Sequence, residues 1–273
     1  MRPTLGPLAG LGLVLTLLTA GTAGAGASEA GCETPDNVKR VAGAKLCLAI
    51  KTWAPARAGT ASTLLVFLHG DVSRGGPADY LFRIAAAYAS PAVISVAMMR
   101  PGYYDRDGNR STGDNFGRRD SYTAENIEAI ADALGNLKRH HGADKLVVLG
   151  HSGGASIAGV ILGYRPGLID AALLFSCPCD ISRWRSDRGR RPWERSLSAH
   201  SFLDSVPGTA KVVAVTGEKD RNTRPHLARD YVSALRERGV EATFVLAEDG
   251  SHSFRSLPVR EHLDRLLQAL AKP

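Results

Sequence analysis

Short apolar runs recur along the chain and alternate with segments of helical periodicity. The clearest runs, 63–68 and 145–149, are apolar at nearly every position, which is typical of strands buried on both faces of a sheet. Further strands are predicted at 44–53, 92–98, 171–176, 211–216 and 242–247. Helices are predicted at 77–89, 123–140, 153–164, 224–238 and 258–271.

This alternation of strands and helices predicts right-handed crossovers and a mostly parallel sheet with helices on both faces. In such sheets ligands bind beyond the carboxyl ends of the strands. We therefore expect the chemistry in the loops that follow these strands.

The first residues predict a secretory signal peptide over 1–27. Arg2 is the only charged residue before Glu29, an apolar run covers 8–20, and small residues at 23–27 fit a cleavage site. The apolar run is too short for a membrane span, so we expect no stable membrane anchoring. The expected mature chain, 28–273, has the length of one α/β domain and is expected to be secreted or periplasmic.

Four cysteines follow the predicted cleavage site. An even number in an exported chain favours disulfides, with three possible connectivities. Pairing of Cys32 with Cys47 would tie the N-terminal segment to the first strand, and Cys177 with Cys179 would close a small ring. A zinc site is the weaker alternative, because no finger-like spacing accompanies the cysteines.

The formal net charge of +7 is unevenly distributed, with six arginines between Arg183 and Arg195. A nucleic-acid-binding module would interleave basic and aromatic residues, and the sequence shows no such module, so no nucleic-acid partner is expected. A solvated basic surface is the favoured interpretation. The alternative is a rim that attracts anionic substrates.

The segment Gly150-His151-Ser152-Gly153-Gly154 lies between a predicted strand and a predicted helix. A sharp strand-to-helix turn crowds the backbone around its central residue, so small neighbours are required there. The pattern G-x-S-x-G in this context predicts Ser152 as a nucleophile.

A serine hydroxyl needs a positioned base, and a histidine after the last strand would supply it. His252 occupies that place, and Asp220 follows the preceding strand, where an orienting carboxylate is expected. Asp180 and Glu218 are weaker alternatives for the acid, and the other interpretation of Asp220 is a helix cap. The order Ser, Asp, His differs from the orders of chymotrypsin-like and subtilisin-like enzymes.

The oxyanion of an acyl-transfer reaction needs two backbone donors. We expect one from Gly153 at the start of the helix, and the other from Asp71, or less strongly Val72, after the His69-Gly70 turn.

From that turn to the C-terminal helix, the sequence resembles the α/β-hydrolase superfamily, in its serine esterase, dienelactone-hydrolase-like or prolyl-oligopeptidase-like branches. The Arg100-Pro101-Gly102-Tyr103 turn also resembles a recurrent feature of these enzymes. The resemblance implies the α/β-hydrolase fold, with a mostly parallel eight-stranded sheet whose second strand is antiparallel. It also implies a nucleophile elbow at Ser152, the acid at Asp220 and the base at His252.

The sequence departs from these relatives in two ways. Dienelactone hydrolases mostly use a cysteine nucleophile, where this chain has serine. Oligopeptidases of the superfamily usually carry a large N-terminal propeller, for which this sequence has no room.

Two segments are expected to frame the substrate pocket. Tyr103 and Tyr104 belong to a polar loop after one strand, and Trp184 lies in a small cap insertion at about 177–207. Packing the cap onto the domain is the more common role for such tryptophans, and lining an acyl or aromatic pocket is the alternative. The cap lacks the large aliphatic residues of a lipase lid. The expected binding partner is therefore a small-molecule ester substrate that is small or polar.

The sequence thus predicts an exported serine hydrolase that cleaves carboxylic esters through an acyl-enzyme, without a metal or an organic cofactor. A small exported peptidase, or an acyltransferase on the same triad, is the nearest alternative. A non-catalytic binding protein on a hydrolase fold is an alternative of another class, disfavoured because all three triad residues are present. The oligomeric state is not predicted.

Overall fold

The computed structural model describes residue 1, residue 32, residues 35–54 and residues 62–271. The predicted signal peptide, 1–27, lies outside the described residues apart from residue 1. Within the described ranges, none of the helices combines the length and apolarity needed to cross a membrane.

Strands and helices alternate along most of the described chain. The strands are β1 Arg40–Gly43, β2 Leu46–Trp53, β3 Thr63–Leu68, β4 Val93–Met98, β5 Lys145–His151, β6 Ala171–Phe175, β7 Lys211–Gly217 and β8 Glu241–Ala247. The helices are α1 Phe82–Tyr88, α2 Ala124–His141, α3 Gly153–Tyr164, α4 Ile181–Ser186, α5 Pro225–Glu237 and α6 Val259–Ala271. Two 3₁₀-helices, Ala199–Ser205 and Phe254–Ser256, complete these elements.

Eight strands of the described residues form one sheet in the order β1-β2-β4-β3-β5-β6-β7-β8. β2 runs antiparallel to both of its neighbours, and the strands from β4 to β8 in this order pair in parallel. The predicted mostly parallel sheet with an antiparallel second strand is therefore confirmed.

Helices cover both faces of the sheet, because the inner strands are apolar on both sides. In β3, Leu64, Val66 and Leu68 pack into a cluster with residues of α2, α3 and α5. Leu65 and Phe67 point to the other face and pack with residues of α1 and α6. These alternating positions are nearly inaccessible to solvent, as expected for a central parallel strand.

The structure differs from the prediction mainly near the N-terminus and in the cap. The strand predicted at 44–53 is half of a hairpin, because the chain turns at Ala44, which has φ of 47°, and β1 precedes it. The helix predicted from 77 begins only at Phe82. The cap between β6 and β7 contains α4 and the first 3₁₀-helix.

The structure pairs Cys32 with Cys47 and Cys177 with Cys179. The first disulfide ties residue 32 to β2, and the second lies where β6 leads into the cap. With all four cysteines paired, the zinc-site alternative has no free thiol ligand.

Candidate active site

Ser152 occupies a strained turn between β5 and α3. Its backbone has φ of 53° and ψ of −117°, a combination that few non-glycine residues adopt. A Cβ atom on Gly150 would lie 2.5 Å from the backbone of Ala155, and one on Gly154 would collide with the carbonyl of Leu68. Close approach of the backbone thus explains the glycines of the motif.

Three side chains from three loops form a hydrogen-bonded chain at this turn. Ser152 Oγ lies 3.1 Å from His252 Nε2, and His252 Nδ1 lies 2.9 Å from Asp220 Oδ2. Asp220 follows β7 and His252 follows β8, so the parallel register of these strands places the two loops side by side. The structure brings together the three residues that the sequence predicted as a triad.

Asp220 is almost completely buried and fully hydrogen-bonded. Its Oδ1 accepts hydrogen bonds from the amides of Asn222 and Thr223, at 2.9 and 2.8 Å, and its Oδ2 accepts one from Thr223 Oγ1. Burial acts to raise the pKa of Asp220, but the interactions with His252 and Thr223 outweigh it and lower that pKa below its ordinary value. The carboxylate therefore holds its own turn and His252 together.

The two alternative acids lie elsewhere. Asp180 caps α4, where its side chain accepts a hydrogen bond from the amide of Arg183. Glu218 lies exposed on the same loop as Asp220. Neither forms a hydrogen bond with His252 among the described residues.

Asn222 is a member of the site that the sequence analysis did not identify. Its side-chain Nδ2 lies 3.0 Å from His252 Nε2, the nitrogen that faces Ser152. Its backbone carbonyl accepts a hydrogen bond from Trp184 Nε1 at 2.8 Å, which links the acid loop to the cap. Nearness to Asp220 in the sequence was the only signal that could have found it.

The loop after β3 approaches the nucleophile closely. A Cβ atom on Gly70 would lie 3.1 Å from Ser152 Cβ, and Asp71 lines the same cavity as Ser152. Val72 has φ of 45°, which is unusual for a β-branched residue. Gly153 is the first residue of α3, so its amide has no acceptor within the helix. Both predicted oxyanion donors therefore belong to segments adjacent to Ser152.

A buried ion pair supports this loop from below. Arg100, which is 1% exposed, donates to Asp71 Oδ1 at 3.0 Å and to the carbonyl of His69 at 3.1 Å. The hydroxyl of Tyr122 donates to Asp71 Oδ2 at 2.7 Å. A Cβ atom on Gly153 would lie 2.6 Å from Arg100 Nη1, so this cluster also contacts the nucleophile turn.

His151 links three parts of the site. Its Nε2 lies 3.0 Å from the carbonyl oxygen of His252, so Nε2 carries the proton and Nδ1 accepts from the Tyr80 hydroxyl at 2.7 Å. The Tyr80 oxygen in turn accepts from the amide of Gly70 at 2.7 Å. Burial, and next the electrostatic interaction with the His252 imidazole, lower the pKa of His151 to about 3, so this histidine stays neutral.

A cavity of about 1070 Å³ opens above Ser152 and His252. Trp184, one of the residues predicted to bind substrate, lines it and also packs edge-to-face on Trp193 at 5.1 Å. Tyr103 and Tyr104, predicted as substrate-binding residues, do not line this cavity. Tyr103 is buried against His69 and Arg100, and Tyr104 bridges to Arg110, because the loop after β4 folds back on itself.

Comparison with solved structures identifies the fold. Est1E from Butyrivibrio proteoclasticus, solved with ferulic acid bound, superposes with a TM-score of 0.66 at 13% identity, covering 85% of this chain and 99% of that one. The esterase Est2 from Thermogutta terrifontis gives 0.59 at 18% identity, covering 87% of this chain and 94% of its own. An acylaminoacyl peptidase from Pyrococcus horikoshii gives 0.62 at 18% identity, and this chain covers 40% of that protein.

Sequence comparison identifies the family. No curated protein matches the sequence significantly. The model of the prolyl oligopeptidase family matches residues 105–272, which is more than half of the chain and includes Ser152, Asp220 and His252. The chain belongs to the prolyl oligopeptidase family, whose fold here is that of the α/β-hydrolases.

Proposed function

We propose that the chain is an exported serine hydrolase that cleaves carboxylic esters of small or polar substrates through an acyl-enzyme on Ser152. The observation that carries this proposal is the continuous hydrogen-bonded chain from Ser152 through His252 to Asp220, placed at the floor of an open cavity. The membership of a hydrolase family that contains both esterases and peptidases is consistent with it.

In the first step, His252 Nε2 takes the proton of Ser152 as Oγ forms a bond to the acyl carbon. The ester C–O bond then breaks, and the leaving alkoxide receives that proton from His252. Asp220 holds His252 with Nδ1 protonated and stabilises the imidazolium. The amides of Asp71 and Gly153 are proposed to bind the oxyanion of each tetrahedral intermediate.

In the second step, water gives a proton to His252 and its oxygen attacks the acyl carbon. The bond to Ser152 Oγ breaks, the serine regains the proton, and the carboxylic acid leaves. Every proton and electron pair is thus returned, and the step requires no oxidant or reductant.

Labelling with a fluorophosphonate and hydrolysis of 4-nitrophenyl acetate test this assignment. Ser152→Ala should abolish both, because the hydroxyl is the attacking group. Ser73→Ala is the matched control, since Ser73 is an exposed serine that lines the same cavity. Labelling that persists in Ser152→Ala would sink the proposal.

A peptidase is the second candidate, favoured by the match to the prolyl oligopeptidase family. The same triad can attack an amide, so the geometry does not separate the two reactions. A panel of short acyl esters beside aminoacyl and prolyl 4-nitroanilides would separate them. Higher kcat/KM on an anilide than on every ester would overturn the esterase assignment.

Export is supported by the apolar N-terminal run and by the two disulfides, which persist in oxidising compartments. Mass spectrometry of protein recovered from the periplasm or the medium should find an N-terminus near residue 28. Retention of residues 1–27 would contradict cleavage.

A further inference from the structure

The cavity above Ser152 is lined by many cations and one carboxylate. Of its described lining residues, seven are arginines: Arg74, Arg118, Arg119, Arg185, Arg188, Arg190 and Arg255. The carboxylate in the same lining belongs to Asp71 and is already bound by Arg100 and Tyr122. The cavity wall therefore carries a large uncompensated positive charge.

These arginines differ from the paired arginines elsewhere in the molecule. Within the described part of the chain, none of the seven lies within 4.0 Å of a carboxylate oxygen, whereas Arg100, Arg106, Arg165, Arg183, Arg195, Arg238 and Arg265 each do. Two acids of the cap are used on other contacts. Asp187 binds His226 at 2.6 Å, and Asp180 caps α4.

The densest part of this charge lies on the cap, beside the two tryptophans. Arg185 lies over the rings of Trp184 and Trp193, at 5.7 and 5.1 Å from the centroids, and Arg188 lies over Trp184 at 5.6 Å. Both arginines are half-buried. Burial, and next the charge of Arg190, lower the pKa of each below its ordinary value.

Such an arrangement has an unfavourable charge energy when the cavity is empty. Contact with the tryptophan rings holds both guanidiniums at the cavity. Arg185 Nε donates to the carbonyl of Arg191 at 2.8 Å, and the Nη groups of Arg185 and the guanidinium of Arg188 remain able to bind a carboxylate. An anion between Arg185 and Arg188 would relieve the repulsion and receive charge-assisted hydrogen bonds.

From this geometry we infer that the substrate is an ester bearing a carboxylate, which Arg185 and Arg188 bind while the ester carbonyl lies at Ser152. This inference rests on the proposed function, because it names the substrate class of that site. The positive rim would also concentrate such a substrate at the cavity entrance.

Pairs of substrates that differ by one charge test the inference in purified protein. One pair, 4-acetoxybenzoate and 4-acetoxybenzamide, places the carboxylate on the leaving group. The other, mono-(4-nitrophenyl) succinate and 4-nitrophenyl butyrate, places it on the acyl group. In at least one pair, kcat/KM should be higher for the anionic ester by about tenfold or more at low salt, and the ratio should fall as ionic strength rises.

Arg188→Gln and Arg185→Gln should each lower that ratio about tenfold, the loss expected for a hydrogen bond to a charged group. Arg188→Lys should recover part of it, since the charge returns without the planar fork. The matched control is Arg183→Gln, which removes one positive charge from α4, the helix that also carries Arg185. Arg183 pairs with Asp230 and does not line the cavity. A ratio near one in both pairs, or an equal fall in the control, would overturn the inference.

A binding measurement separates failure of this inference from failure of the proposed function. In Ser152→Ala, calorimetry should detect binding of 4-hydroxybenzoate and much weaker binding of 4-hydroxybenzamide, with the difference lost when Arg188→Gln is added. If neutral esters are hydrolysed but neither readout favours the anion, the inference fails and the hydrolase assignment stands. If no ester is hydrolysed, the assignment fails and the binding result alone decides the anion site.

Discussion

Arg100 and Arg188 lie on opposite sides of the nucleophile and differ in nearly every respect. Arg100 lies below the Ser152 turn, almost inaccessible to solvent, with Asp71 and the carbonyl of His69 as partners. Arg188 lies above it on the cap, half-buried on Trp184, with Arg190, Arg185 and, with a smaller effect, Asp220 as its charged neighbours. The first arginine is paired with a carboxylate of the protein, and the second has no carboxylate partner among the described residues.

The difference shows two uses of one side chain in a single site. A buried cation that is paired with a carboxylate and a backbone carbonyl fixes the loops that position the reacting groups. A partly buried cation without a carboxylate partner keeps its hydrogen-bonding capacity for a ligand. The two kinds of arginine should therefore respond in opposite ways when they are removed.

The largest expected effect is that of Arg100→Met. The substitution leaves the largely buried Asp71 carboxylate, whose side chain is 15% exposed at the cavity, without its cation beside Gly153 and the proposed oxyanion loop. We expect the free energy of unfolding to fall by about 3–5 kcal/mol and kcat for a neutral ester to fall with it. Urea unfolding and steady-state kinetics measure the two effects.

Arg165→Met is the matched control, because Arg165 also pairs with two acids, Glu128 and Asp132, but its side chain is 41% exposed. Arg165→Met should lower the free energy of unfolding by no more than about 1 kcal/mol. If Arg100→Met does not fold, the double variant Arg100→Met/Asp71→Leu should, since it removes both charges and keeps the backbone amide of residue 71. If Arg100→Met and Arg165→Met lower the free energy of unfolding equally, burial does not explain the different importance of the two ion pairs.

The contrast between these regions also explains what the sequence could predict. Ser152, Asp220 and His252 were predictable because each follows a strand of the parallel sheet, and the strand order brings those loops to one edge of the sheet. Arg100 follows such a strand too. Its partner, Asp71, comes from another loop, and no periodicity indicates which loops will contact each other.

The errors have similar causes. Tyr103 and Tyr104 follow a strand at the correct edge, but the loop folds back and turns them away from the cavity. β1 was missed because four residues are too few for a clear alternation. The six cap arginines were visible in the sequence, but only the structure shows which of them line the cavity and which pair with acids.

A second prediction concerns acid stability of the region below Ser152. Burial, and next the neighbouring charge of Arg100, lower the pKa of His69 to about 3, and Arg118, His151 and Tyr103 also face it. The unfolded chain binds this proton near pH 6.5 and the folded protein does not. The free energy of unfolding that depends on neutral His69 is therefore complete above pH 6.5 and is lost as pH falls towards 3.

Between pH 6.5 and pH 5, His69 alone should lower the free energy of unfolding by about 2 kcal/mol. His69→Gln keeps a donor and an acceptor without the titration, so the slope of stability against pH should decrease by about one proton. Urea unfolding at several pH values measures the slope. An unchanged slope would show that His69 is protonated in the folded state, or that it does not titrate in the unfolded one.

The smallest expected effect is that of Arg188→Gln on stability. Because the repulsion of Arg188 from Arg190 and Arg185 exceeds its attraction to Asp220, its loss should change the free energy of unfolding by less than about 0.5 kcal/mol, in the stabilising direction. The wild-type Tm should rise when 4-hydroxybenzoate is added, because a ligand that binds the folded state stabilises it, and the rise should be smaller in Arg188→Gln. If Arg188→Gln lowers the free energy of unfolding by about 2 kcal/mol or more, Arg188 is, like Arg100, an arginine that stabilises the fold.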